Sequence, residues 1–139
     1  MRAARASLFL VEQELRYNPD QENAMKYMLL IFGNETAQQA ATKEQTARMM
    51  AAYGAYSQAL VKAGVMAGGD RLKPASTATT VRVANGKTEV LNGPYAETRE
   101  QLGGYYIIEV PDLDAALAWA ARCPGASNGA LEVRPLWAM

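Results

Sequence analysis

The chain has 139 residues, half of them hydrophobic, and its fourteen basic side chains balance fourteen acidic ones. That length and apolar content fit one domain with a genuine core. Zero net charge leaves no basic field to hold nucleic acid non-specifically, and the longest apolar runs fall far short of the roughly 18 residues that span a bilayer.

Residues 1–24 differ in character from the rest of the chain. Arg2 and Arg5 precede a short apolar run at 8–11, and polar and acidic residues then continue to Glu22. A secretory signal needs an apolar core of about 7–15 residues and a small-residue cleavage site; this segment has neither. We read it as an N-terminal extension outside the domain, which then runs from 25 to 139. The alternative is an amphipathic arm, with Leu8, Val11 and Leu15 at helical spacing, that packs on a partner subunit.

From Tyr27 to Phe32 a continuous apolar run predicts a strand buried on both faces. Thr42 and Gln45 then form a Thr-x-x-Gln capping box, and Met49, Tyr53, Tyr56 and Leu60 line one helical face up to Gly64. Val65–Leu72 reads as a second strand, broken by Pro74-Ala-Ser. Thr77–Leu91 reads as a hairpin turning at Asn85-Gly86, a pairing that sets Arg82 opposite Glu89 and Val81 opposite Val90. Tyr105–Val110 is a further strand. Asp112 caps a second helix with Leu113, Ala116, Leu117 and Ala120 expected inward, and Ala130–Leu136 is the last strand.

The order β-α-β, hairpin, β-α-β predicts an α+β, ferredoxin-like fold with an inserted β-hairpin and both helices on one sheet face. The other face is then uncovered, and strands this apolar must bury it. A homodimer packed sheet to sheet is the economical answer.

The richest segment lies between the hairpin and the next strand: Asn92-Gly-Pro-Tyr95-Ala-Glu97-Thr-Arg99-Glu-Gln-Leu-Gly-Gly104. It resembles the signature of the DGPF group within the YCII-related (YciI-like) proteins, Asp-Gly-Pro-Phe followed by Ala-Glu-Thr-Lys-Glu-Gln-Leu-Gly-Gly. The resemblance begins at Met25-Lys-Tyr-Met-Leu-Leu-Ile-Phe and runs to about Pro135. It implies a dimeric α+β barrel. Three positions depart from the pattern: the family's Asp is Asn92, its Phe is Tyr95 and its Lys is Arg99. Asparagine does not titrate, so no acid or base role survives at 92, whereas turn-capping or hydrogen bonding to a substrate does.

Candidate substrate-binding residues are Asn92, Tyr95, Glu97, Arg99, Glu132 and Arg134. For each a plain structural role is also available. Asn92 with Gly93-Pro94 makes a turn, and Thr98 with Gln101 makes a one-turn capping box that absorbs Glu100 but leaves Glu97 and Arg99 to face a cleft. Glu132 and Arg134 share one strand face, as an ordinary ion pair or as a polar feature inside the dimer barrel. The same ion-pair role is expected of Asp70 and Arg71. Tyr53, Tyr56, Tyr105, Tyr106, Met49 and Met50 are read as core, and Cys123 as a small buried apolar residue.

Two functional classes stay open, and with them the question of whether the chain is an enzyme. One is a binder or transformer of a small anionic metabolite, with Arg99 as the strongest anion-binding group. Some YCII-related proteins eliminate halide from ring-cleavage products by a chemistry that leans on a histidine; this chain contains no histidine, so that activity does not transfer. The other is an accessory or regulatory protein, since DGPF-group proteins are often encoded beside extracytoplasmic-function sigma factors. The glycine pairs at 68–69 and 103–104 lack the spacing of a phosphate or dinucleotide loop. No cofactor, metal, nucleic acid or membrane is expected, and the single cysteine fits the reducing cytoplasm.

Overall fold

Residues 24–138 are described by a computed structural model; the N-terminal extension read from the sequence, including Leu8, Val11 and Leu15, lies outside them except for Ala24. The apolar run forms β1 (Met25–Gly33). A five-residue helix α1 (Glu35–Gln39) follows, and then α2 (Lys43–Lys62), which begins with the expected capping box between Thr42 and Gln45. After β2 (Met66–Arg71) and a 3-10 turn (Ala75–Thr77) come the hairpin strands β3 (Thr79–Ala84) and β4 (Lys87–Asn92). The chain closes with β5 (Gln101–Val110), α3 (Leu113–Arg122), a second 3-10 turn (Pro124–Ala126) and β6 (Ala130–Pro135).

The main sheet has the order β2-β5-β1-β6, antiparallel throughout, and the hairpin is a separate two-stranded sheet. This is the ferredoxin-like arrangement: the central pair β1–β5 joins two βαβ units, with α2 and α3 on one face. Alternation places Tyr27 and Leu29 of β1 with Tyr106 and Ile108 of β5 beneath the helices, where they meet Tyr56 and Leu60 of α2 and Ala116 and Ala120 of α3. Tyr56 of α2 meets Tyr106 of β5 edge-on at 5.3 Å, tying helix to sheet, and Trp119 of α3 at 6.2 Å, tying the two helices.

The hairpin register is as expected. Arg82 pairs with Glu89, Val81 with Val90 and Ala84 with Lys87. Asn85 and Gly86 both take positive φ, 53° and 75°, the conformation a two-residue type I′ turn requires.

Three expectations need correction. Leu113 and Leu117 are 47% and 46% exposed. The buried stripe of α3 is centred on Ala116, Ala120 and Cys123, whose small side chains let the helix lie close to the sheet, and the leucines fall on its flank. Met50 is exposed one position beside the buried stripe of α2, and Tyr105 sits on the opposite sheet face from the core. Finally, β1 is not fully buried on both faces. Met28, Leu30 and Phe32, with Leu102, Tyr105 and Ile107 beside them, are only half-buried because neither helix covers that side.

Candidate functional site

A cleft of about 240 Å³ opens at the end of the sheet where β1 stops and β5 starts. It is lined by Glu35 of α1, Ala75 and Ser76 of the first 3-10 turn, Pro94, Ala96, Glu97 and Thr98 of the signature loop, and Gln101. Three segments remote in sequence thus meet there, and two side chains hold them. The Gln101 side-chain oxygen accepts the Glu35 backbone N–H at 3.0 Å, while its amide nitrogen donates to the Thr98 carbonyl at 2.7 Å. Glu35 Oε2 in turn accepts the Ala75 backbone N–H at 2.9 Å.

Local chemistry explains why Glu35 is available. Asn34 caps α1, its side-chain oxygen accepting the Ala37 N–H at 2.9 Å. This turns the chain sharply out of β1 and leaves Glu35 at the first helical position, facing the turn after β2. Gln101 pairs with Gly33 at the last rung of the β1–β5 ladder, so its side chain projects from a fixed strand end.

Of the six candidate residues, only Glu97 lines this cleft. Asn92 ends β4 opposite Thr79, where its backbone belongs to the hairpin ladder. Tyr95 is exposed and lies under the Arg82 guanidinium, 5.3 Å from ring centre to charge. Arg99 is exposed and outside the lining. The lining therefore holds two carboxylates and no cation, and the anionic ligand expected from Arg99 finds no counter-charge in it. Glu132 and Arg134 bond to each other along β6, 43% and 71% exposed, too wet to add much stability. They lie across from Leu30 and Met28, on the open sheet face rather than in the cleft.

The one-turn capping box at Thr98 does not form. Residues 98–100 are irregular, the Thr98 hydroxyl donates to the Glu100 carbonyl, and Gln101 already belongs to β5. Nor do Asp70 and Arg71 pair with acid or base among the described residues. Asp70 accepts the Tyr105 hydroxyl at 3.3 Å, and Arg71 reaches the Met50 sulfur. Sequence reasoning misses Glu35, Ser76 and the whole of α1. The Asn34-Glu35 cap is the available signal, but it precedes a helix too short to show a period.

Beneath the helices lies a second polar cluster. The Tyr56 hydroxyl donates to the Trp119 carbonyl at 2.7 Å, Ser57 and Tyr106 share a hydrogen bond at 2.7 Å, and Cys123 is buried beside Tyr53. Burial pushes the Cys123 thiol up, against a smaller downward pull from the Gly125 N–H and the Tyr53 hydroxyl. Burial first, then the neighbouring Cys123, push Tyr53 and Tyr56 well above the ordinary phenol range, and burial also raises Tyr106. Buried and shifted toward its protonated form, the Cys123 thiol is a poor nucleophile near neutral pH.

This cluster should make the fold sensitive to alkali. Groups whose folded pKa is raised contribute stability that is intact below their unfolded values, 9.0 for Cys and 10.0 for Tyr, and lost as pH climbs toward the folded ones. The urea midpoint should therefore hold between pH 7 and 8.5 and fall progressively above about pH 9. Equilibrium melts across that range check it, and a midpoint unchanged at about pH 10.5 would refute it.

Among the described residues no helix is long and apolar enough to cross a membrane, and no three His, Cys, Asp or Glu side chains gather as a metal site would require. The sheet order and the helix layer define a ferredoxin-like α+β protein with a polar cleft beside its signature loop. The chain belongs to the YCII-related family, whose domain model matches residues 25–139. It is similar to the uncharacterized protein R00369 of Rhizobium meliloti (strain 1021), 40% identical over 114 residues that cover 81% of this chain and 92% of that protein.

Proposed function

We propose that the chain is a small-molecule-binding protein of the DGPF group that works as a homodimer in the cytoplasm, with its ligand seated in the cleft between α1, the first 3-10 turn and the signature loop. The observation that carries this reading is the lining itself. Glu35, Glu97, Ser76, Thr98 and Gln101 converge on a volume suited to a small metabolite. Two carboxylates with no cation favour a ligand rich in hydrogen-bond donors, a small amine or polyol, over a dicarboxylate. Ser76 and Thr98 have no histidine to activate them, which supports binding over nucleophilic catalysis.

Support for the homodimer comes from the open sheet face. Met28, Leu30, Phe32 and Ile107 form an apolar centre, bordered by Glu132 and Arg134 on one edge strand and Asp70 on the other. An apolar centre with a charged rim is the anatomy of an interface.

The ligand reading is tested by titrating wild type and Glu97→Gln with small diamines, polyols and dicarboxylates while following chemical shifts of the loop. A charge-assisted hydrogen bond contributes about 1.5–3 kcal/mol, so Glu97→Gln should weaken amine binding roughly ten- to a hundredfold. Dicarboxylate binding that is lost in Arg99→Ala and indifferent to Glu97→Gln would overturn it.

A further inference from the structure

Among the described residues, the span from 73 to 100 is hydrogen-bonded to the rest of the domain through two side chains, Glu35 and Gln101. The span leaves the main sheet after Leu72, whose N–H donates to the Gly103 carbonyl at 2.9 Å, and rejoins it at Gln101. Within it the chain is tied to itself. The Gly93 N–H donates to the Ala78 carbonyl at 2.7 Å, and the Thr80 hydroxyl donates to the Gly93 carbonyl at 2.8 Å. These bonds close the base of the hairpin, so the first 3-10 turn, β3, β4 and Gly93 make one unit. That unit shares no ladder with the main sheet, and no residue from 73 to 100 is buried.

Both outer walls of the cleft belong to this span. Ala75 and Ser76 line it just ahead of β3, and Pro94 and Glu97 line it just beyond β4, while Glu35 and Gln101 face them from the body. A segment with no buried residue has little apolar contact to fix its place, and such segments are the low-stability parts of a fold. Its stance against the body then depends on the bonds at its base. Glu35 is built to set it. Gln101 Oε1 holds the Glu35 backbone N–H at 3.0 Å, so the carboxylate reaches out from a fixed point and accepts the Ala75 N–H at 2.9 Å. The Gln101 amide acts only farther along, on the Thr98 carbonyl, beyond the closed base of the hairpin. We infer that the hairpin and its base form a hinged arm that carries the outer walls of the cleft, and that Glu35 is the positioning residue that holds this arm against the body and so sets the width of the cleft. The inference takes its setting from the cleft reading above and assumes nothing about the ligand.

The test needs no ligand. Spin labels are placed at Lys87→Cys, at the hairpin turn, and at Gln58→Cys, on the exposed side of α2, with Cys123 buried away from the label. The distance distribution between them is measured in the full chain, diluted with unlabelled protein, with Glu35 intact and with Glu35→Ala, Glu35→Gln or Glu97→Ala added. Each variant is checked for native circular dichroism. With Glu35 present the distribution should be single and narrow, and Glu35→Ala should widen it at least twofold. Glu35→Gln keeps an oxygen for the Ala75 N–H and should stay close to the parent. Glu97→Ala removes a cleft carboxylate that makes no hydrogen bond among the described residues, and should leave the width unchanged. A distribution equally wide with Glu35 and with Glu35→Ala would overturn the hinged arm. Amide exchange in the unlabelled wild type gives a second reading that survives a variant failing to fold. The Ala75 N–H should exchange at least tenfold more slowly than in an unstructured chain, and an unprotected Ala75 would overturn the role of Glu35. Neither failure touches the ligand reading, which stands or falls on its own titration.

Discussion

Leu60→Ala should destabilise the fold by about 2–5 kcal/mol, the range for deleting a buried leucine when its surroundings relax only partly. Leu60 has no exposed surface. It lies one turn beyond Tyr56 in α2 and belongs to the same buried core as Ile108 and Tyr106. The loss removes the clamp that holds the helix layer to the sheet, and a domain of this size has only about 5–15 kcal/mol in total. The variant should therefore unfold at a clearly lower urea concentration with an unchanged slope. Val61→Ala, at the next position but 62% exposed, should stay within about 0.5 kcal/mol of wild type. Equal effects of the two substitutions would mean that α2 packs through a different face.

The fold is legible in the sequence where a local rule and a pattern agree. At Asn85-Gly86 the turn type dictates the register, so each cross-strand pair of the hairpin follows from two residues. The motif Thr-x-x-Gln gives an instructive contrast. At Thr42 it opens a helix because an apolar period close to 3.6 runs on through Leu60; at Thr98 the same spacing fails because Gln101 is followed by Leu-Gly-Gly and a strand. A capping motif offers only hydrogen bonds, and the downstream pattern decides whether a helix receives them.

The cleft is less legible for a different reason. Its defining bonds join Glu35 to positions 40 and 66 residues away, and no local signal marks such a meeting. The signature loop stands out in the sequence by its charges, yet residue type alone does not say where each charge points. By type, Arg99 is the best anion binder; the strand end at Gln101 instead directs Glu97 and Thr98 to the cleft and leaves Arg99 outside. Which side chain a loop presents depends on how its two ends are anchored, and those anchors are tertiary.

Two glycine-to-alanine substitutions should act in opposite directions, one of them severely. Gly129 leads into β6, and a Cβ there would collide with the Phe32 carbonyl oxygen, with the Gly125 carbonyl oxygen 3.3 Å away. Both are backbone atoms, so no flexible side chain can yield, and β6 itself must move off β1. Overpacking typically costs about 1–3 kcal/mol, and a clash with fixed backbone on both sides belongs at or above the upper end. Gly54, by contrast, lies within α2, and a methyl added there would meet nothing within 4 Å. Gly54→Ala removes a helix-interior glycine and should stabilise by about 0.5–1 kcal/mol. Thermal and urea melts of the two variants against wild type decide it: a Gly129→Ala protein as stable as wild type would mean that the start of β6 does not lie against Phe32.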